Sequence, residues 1–442
     1  MALTGLAIFK LLPKTNCKKC GMPTCLAFAM QLAQKRAELS SCPDVSEEAK
    51  QTLAAAAAPP VRQVKFGIGD GQVQMGQETV LFRHEEKFYD PTILAATASD
   101  QLQGDDLIQR VKAINGLQFD RVGTHVAVSA LALVNDSGSP ESFAAAAAAA
   151  MENSNLALIL ISDSPQAMGA ALGKCAGKVP LIASASASTV EAMAKLAKDN
   201  KCPLVVKAES LDGLADLTEK AKGAGVEDIV LSLEGTPLKD QLYGGSAIRR
   251  LALKKSFRAL GYPIFSLASG KTDDERISAG ASLICKYSSV VVVDSINPAV
   301  FLPLLTTVMN VYCDPQKPVQ VESKLYAIGE PDETAPVLFT TNFSLTYYTV
   351  ESDVEASRVP AHILVVDTEG TSVLTAYSGD KLNEKAVADA MAKLEVEKQV
   401  SHRKLIIPGY VAVMSGKQEE ATGWEVMVGP RESSLLPKYL QE

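Results

Sequence analysis

Between residues 156 and 295 short apolar runs alternate with amphipathic helical stretches, and this rhythm restricts the fold more than any other feature of the chain. "LALILISD" precedes the helical "SPQAMGAALGKCAG", "VPLIASASA" precedes "STVEAMAKLAKDN", "CPLVVKAES" precedes "LDGLADLTEKAKGAG", and "EDIVLSLEG" precedes "TPLKDQLYGGSAIRRLALKKSFRALG". Two further apolar runs, "PIFSLASG" and "SSVVVVDS", follow. Strands that are apolar throughout suit a parallel sheet covered by helices, whereas a half-solvated sheet would alternate apolar and polar residues. So many units in succession fit a closed, TIM-like (β/α)8 barrel better than an open sheet. The alanine run at 144–150 reads as a tightly packed helix between strands. Alternating segments around Gly67 to Gly76 predict a hairpin that leads into the barrel.

A chain of 442 residues exceeds what one core usually supports, so flanking domains are expected. Near residue 325 the polar stretch "AIGEPDETAPV" interrupts the rhythm, and a second βα series begins with "HILVVDTEG" and runs through "KLIIPGY" and "WEVMVGP". It predicts an open, flavodoxin- or Rossmann-like α/β sheet whose ligand would sit on the loops "DTEGTS", "PGYVAVMSG" and "VGPRESS". At the other end, "LAAAAAPPVRQ" (53–63) reads as a spacer, because Pro59 and Pro60 cannot continue a helix. The expected domains are 1–58, 59–325 and 326–442, with both terminal ones mobile on their linkers.

The net charge of −8 argues against a general nucleic-acid binder. No segment has a signal-peptide pattern or enough apolar length to span a bilayer, so the cytoplasm is the expected compartment. Residues 1–52 differ from the rest: Lys10, Lys14, Lys18, Lys19, Lys35, Arg36 and Lys50 against Glu38, Asp44, Glu47 and Glu48 leave 7 − 4 = +3.

That basic end also holds four of the eight cysteines, Cys17, Cys20, Cys25 and Cys42, spaced C-x2-C-x4-C-x16-C. A structural zinc site usually has two separated Cys-x2-4-Cys pairs, and here there is one. A 4Fe-4S cluster also takes four thiolates and tolerates irregular spacing. Gly21 and Pro23 supply a tight loop, and Lys14, Lys18 and Lys19 would offset a cluster's negative charge. The spacing favours the cluster and leaves zinc open. Cys175, Cys202, Cys285 and Cys313 lie singly in apolar segments and read as core thiols.

Taken with the domain order, "NCKKCGMPTCLAFA" and the later "CPD" resemble the large (gamma) subunit family of the corrinoid iron-sulfur protein. That protein belongs to the acetyl-CoA decarbonylase/synthase (Wood-Ljungdahl) system. The resemblance implies a methyl-group carrier. Its corrinoid cobalt would accept a methyl group from methyltetrahydrofolate on a partner methyltransferase and deliver it to acetyl-CoA synthase/CO dehydrogenase. It also implies a small second subunit in a heterodimer, and a low-potential electron donor that works through the cluster to return Co(II) to Co(I). The transfers themselves would be catalysed by the partners. Cys17, Cys20, Cys25 and Cys42 match the family's cluster ligands. Corrinoid contacts are implied at Thr340 and Thr346 in "FTTNFSLTYY", at Gly370, Thr371, Ser372 and Val373 in "DTEGTSV", and at Ser433.

Read for its residues alone, "TEGTS" is small and rich in hydroxyl and amide donors, which suits close approach of a flat macrocycle. It also suits a plain turn with helix-capping residues, and it shares features with a flavin phosphate loop. No D-x-H-x-x-G pattern surrounds His84, His125, His362 or His402, so none is expected to ligate cobalt, and His362 reads as structural. Two further readings stay open. The barrel could itself be a methyltransferase using Asp163, Lys207, Glu234, Asp294 and Asn297 at strand ends, residues that equally suit helix caps and ion pairs. Or the chain could be an electron-transfer or reductive-activation protein with a cluster and no corrinoid.

Overall fold

The computed structural model describes residues 5–33, 37–46, 49–50, 53 and 59–442. Residues 54–58 of the expected spacer, and Lys35, Arg36, Glu47 and Glu48 of the basic end, lie outside the described residues. Two compact units emerge: one comprises residues 1–119 and 126–312, the other Asp120–His125 and Cys313–Glu442.

At the N-terminus the helices Gly5–Leu11 and Cys25–Ala33 pack on each other around Ile8, Leu12, Phe28 and Ala29. After these come the strands β1 (Val64–Phe66), β2 (Val73–Met75), β3 (Ile93–Ser99), β4 (Gln118–Arg121), β5 (Thr124–Ala127) and β6 (Ala130–Val134). They continue as β7 (Ala157–Ile161), β8 (Leu181–Ala185), β9 (Leu204–Lys207), β10 (Ile229–Ser232), β11 (Ile264–Ala268) and β12 (Val290–Val293). Strands β3 and β6 to β12 form a closed parallel barrel in chain order, β12 pairing back onto β3 with Val293 opposite Ala96. This is the expected (β/α)8 barrel. The strands β3 and β6 are the two that the sequence rhythm leaves unmarked. Their segments, "ILAATAS" and "ALALV", are rich in alanine, a poor strand former, and are held by their neighbours on both sides.

Alternate residues point inward, so Ala95, Ala132, Ile159, Ala183, Val205 and Phe265 fill the barrel, and the opposite faces meet the helices. The hairpin β1–β2 adds Val64, Phe66 and Met75 to that interior cluster. The Gly67 N–H donates to Val179 O at 2.8 Å, just before β8, so the hairpin closes the N-terminal end. The alanine run is helical from Pro140 to Asn153, capped by Ser139, with Ala144, Ala146, Ala147 and Ala150 buried between β6 and β7. Beneath the barrel, Arg249 and Glu78 form a buried ion pair at 2.9 Å.

The barrel's last helix ends at Tyr312. The chain from Cys313 already belongs to the second unit, ahead of the division expected at residue 325. The reason is hydrogen bonding: Val321 N–H donates to Asn342 O at 2.9 Å and Ser344 N–H to Val319 O at 3.0 Å. The polar break that marks 325 is a turn within this unit. Its five strands are β13 (Leu325–Ile328), β14 (Val337–Thr341), β15 (Ala361–Val366), β16 (Lys404–Ile407) and β17 (Glu425–Val428). They lie in the order β13-β15-β14-β16-β17, parallel except for the edge strand β13. Helices Ser344–Ser357, Glu384–Lys393 and Ser415–Thr422 connect the parallel strands. Among the described residues no helix is long and apolar enough to cross a membrane.

Candidate functional site

The strand order of the second unit creates a crevice. From β14 the chain steps outward to β15 and then returns to the other side of β14 to lay down β16. Crossover connections therefore leave β14 and β16 on opposite faces, and the gap beyond their carboxyl ends is where open α/β sheets take ligands. A cleft of about 330 Å³ lies there, lined by Thr340 of β14, Ile407 and Pro408 at the end of β16, and Gly429 after β17.

Thr346, Ser372, Val373 and Ser433 share that lining with Thr340. The residues singled out from separate parts of the sequence thus meet around one cavity. Gly370 and Thr371 do not line it; they form the turn that leads to Ser372, with the Thr371 hydroxyl donating to Thr368 O at 2.7 Å.

Thr340 is 1 % exposed and its Oγ1 has no hydrogen-bond partner. Leaving a buried hydroxyl unpaired costs about 1–3 kcal/mol, so a polar group entering the cleft would complete the site. Apolar side chains lining the cleft, Leu345, Leu374 and Tyr410, are exposed. Orphaned hydroxyl, further hydroxyls and apolar flank together fit a large ligand with an apolar body and peripheral amides, as a corrinoid is.

Sequence reasoning missed three residues here. Tyr410 on the rim donates to Glu432 Oε1 at 2.7 Å, and that hydrogen bond, with the carboxylate's charge, pushes the phenol above its ordinary value. Asn342, one residue past β14, ties the turn at 367–370 to the sheet. Its only sequence signal is its place inside "FTTN".

The four N-terminal cysteines are free thiols. Cys25 and Cys42 are buried in one apolar cluster with Cys20 packed against it, while Cys17 is exposed and its Sγ donates to Asp44 Oδ2 at 3.5 Å. Among the described residues no group of three His, Cys, Asp or Glu side chains is disposed to hold a metal ion, so the fold does not draw the four sulfurs to one point. The loop still has the features a thiolate cluster uses. Lys14, Asn16, Lys18 and Gly21 have φ of 61°, 49°, 63° and 76°, and the Asn16 N–H donates to Cys25 Sγ at 3.4 Å. Backbone of this kind turns successive N–H groups toward an anion. Four thiols on such a loop fit a cluster in donor number and kind, and holding it would require the sulfurs to draw together from these positions.

Four of the five strand-end residues of the barrel have hydrogen-bond or ion-pair partners close by. Lys207 Nζ lies 2.6 Å from Asp163 Oδ1; Asp294 accepts from Thr97 Oγ1 at 2.5 Å and faces Arg110; Asn297 donates to Asp273 and caps Ala299. Burial pushes the Glu234 carboxyl up. A cavity of about 620 Å³ opens beside them, and of these five residues only Asp294 lines it.

Residues 63–440 match the family model described as "CO dehydrogenase/acetyl-CoA synthase delta subunit", and a second model, whose description names an Fe-S cluster, matches residues 12–43. The "Corrinoid/iron-sulfur protein large subunit" of Moorella thermoacetica is 45 % identical over 439 residues, covering 99 % of this chain and 98 % of that protein. The "Acetyl-CoA decarbonylase/synthase complex subunit gamma" of Methanothermobacter thermautotrophicus is 37 % identical over 455 residues, with 100 % and 99 % covered. Its namesake from Methanopyrus kandleri is 35 % identical over 458 residues, with 100 % and 98 % covered. The chain belongs to the family of corrinoid/iron-sulfur protein large subunits and acetyl-CoA decarbonylase/synthase gamma subunits.

Proposed function

We propose that this chain is a methyl-carrying subunit that holds a corrinoid in the cleft beyond β14 and β16 and a 4Fe-4S cluster on Cys17, Cys20, Cys25 and Cys42. The observation that carries the reading is the orphaned Thr340 hydroxyl at the switch point of the sheet, in a cleft it shares with Thr346, Ser372, Val373 and Ser433. Bound there, a corrinoid supplies a cobalt that takes up and passes on a methyl group, and a cluster supplies low-potential electrons. The chain's own part is to bind and orient. Hydroxyls of Thr340, Thr346, Ser372 and Ser433 would meet the polar periphery, Val373 and Leu345 would flank the apolar body, and the turn at Gly370 and Thr371 carries Ser372 to the cleft. The cleft lining contains no histidine, so it offers the metal no imidazole.

The partners that follow are a small second subunit, a methyltetrahydrofolate methyltransferase, an acetyl-CoA synthase/CO dehydrogenase and a low-potential electron donor, all in the cytoplasm. Anaerobic purification of the full chain, with iron, sulfide, zinc and cobalt analysis, tests the reading. About four irons and one cobalt per chain are expected. Iron without cobalt, after corrinoid is supplied, would leave an electron-transfer protein; one zinc and no iron would overturn the cluster. Methyl transfer from methyltetrahydrofolate to added cobalamin by the isolated chain would instead make the barrel an enzyme.

A further inference from the structure

Asn342 is 3 % exposed and lies outside the cleft lining, yet the turn after β15 is suspended from its side chain. Its Oδ1 accepts from the Thr368 N–H at 3.0 Å, from the Thr368 hydroxyl at 3.1 Å and from the Gly370 N–H at 2.9 Å. Its Nδ2 donates to Asp367 Oδ1 at 2.8 Å and to Gln320 Oε1 at 3.1 Å. Its own N–H donates to Val366 O at 2.9 Å. Both ends of the carboxamide are saturated, and a flipped amide would set its NH2 against two backbone donors, so one orientation is fixed.

The turn held in this way needs holding. Glu369 and Gly370 have φ of 54° and 72°, in the left-handed region that side chains rarely adopt. A Cβ at position 370 would lie 2.7 Å from Gln320 Cγ and 2.9 Å from Pro318 Cβ, so glycine alone lets the turn close on that segment. Two and three residues further on, Ser372 and Val373 reach the cleft.

We infer that Asn342 is a positioning residue for the corrinoid. It touches no ligand, and it sets the backbone from which Ser372 and Val373 line the cleft. The inference rests on the corrinoid reading above and adds the residue through which β14 dictates the shape of the loop after β15.

The test titrates the full-length chain and its variants with hydroxocobalamin, following the cobalt absorption bands and recording melting temperature in parallel. Asn342→Ala should raise Kd about tenfold, the upper end of one net hydrogen bond lost. Asn342→Asp keeps the accepting oxygen and places a second carboxyl against Asp367, while Glu369 is occupied by Lys381 at 2.5 Å. The two carboxyls repel and the donor to Asp367 is lost, so Kd should rise even though that oxygen is kept. A raised Kd at a melting temperature close to wild type is a split that a purely structural role would not produce. An Asn342→Ala chain with a lowered melting temperature and wild-type Kd overturns the inference. If that variant fails to fold, Asn342→Asp decides: a Kd raised about threefold at a melting temperature near wild type supports it, and an unchanged Kd overturns it. Wild-type chain that takes up no corrinoid overturns the reading beneath, which is a different failure.

Discussion

Asn16 and Cys25 hold each other by two opposed hydrogen bonds: the Cys25 N–H donates to Asn16 Oδ1 at 2.8 Å, and the Asn16 N–H donates to Cys25 Sγ at 3.4 Å. The first bond caps the helix that Cys25 opens, and the second sets a donor on its sulfur. Asn16 does this from a φ of 49°, which asparagine tolerates and a β-branched residue does not. Asn16→Val should therefore lower iron and sulfide content after anaerobic reconstitution, while Asn16→Asp, which keeps the accepting oxygen, should stay near wild type. Equal iron content in the Val variant would mean the pair does not shape the cysteine loop.

Thr340 and its neighbour Thr341 make a matched pair of probes. Both are buried, both have an Oγ1 without a partner, and only Thr340 lines the cleft. Replacing either by valine removes an unpaired buried hydroxyl, so each change should stabilise the ligand-free second unit, by up to about 1–3 kcal/mol. Only Thr340→Val should weaken corrinoid binding. Urea midpoints and hydroxocobalamin titrations on the same preparations separate the two effects, and equal affinity in both variants would remove Thr340 from the site.

His362 makes the second unit sensitive to acid. It is 7 % exposed on β15, neither ring nitrogen has a partner, and burial, with the nearby His402, depresses its pKa below the ordinary value. The folded state favours the neutral ring. The stability this contributes is present above the unfolded pKa of about 6.5 and is lost as pH falls through that value toward the folded one. The urea midpoint of the second unit should drop between pH 7.5 and 5.5, and His362→Leu should flatten that slope. Parallel slopes would assign the acid sensitivity to another group.

Much of this arrangement is legible in the sequence because it is carried by local pattern. The apolar runs from "LALILISD" to "SSVVVVDS" become β7 to β12, since a strand buried on both faces must be apolar throughout. The loops that carry Ser372 and Ser433 are legible once the second unit is read as an α/β sheet, because loops at carboxyl ends hold its ligands, whereas Thr340 is marked only by the family resemblance. The strand β14 itself, "VLFTT", gives a weaker signal, as a five-residue run enclosed between loops. Asn342 could not be read in this way: its bonds join residues 320, 342, 367, 368 and 370, and no periodicity relates them. The same holds for Glu78 and Arg249, which meet only when the barrel closes.

That last pair gives the sharpest prediction about the barrel. Arg249 and Glu78 are 5 % and 6 % exposed and 2.9 Å apart, and the guanidinium also lies 4.7 Å from the Tyr287 ring centre and 5.1 Å from that of Phe88. Removing one ion strands the other in a low-dielectric site, which costs about 3–5 kcal/mol, whereas replacing both by apolar residues of similar volume is often neutral. Arg249→Met alone should lower the barrel's melting temperature strongly, and adding Glu78→Met should recover much of it. Burial already pushes the Glu78 carboxyl up, and only the Arg249 charge and hydrogen bonds oppose this. Without the arginine the acid rises further and folds best protonated. A carboxyl whose folded pKa exceeds its unfolded one adds stability below the unfolded value and loses it as pH rises, so the single variant should be less handicapped at pH 5 than at pH 8. A pH-independent deficit in Arg249→Met would show that lost packing on Tyr287 and Phe88, and not the stranded charge, sets the cost.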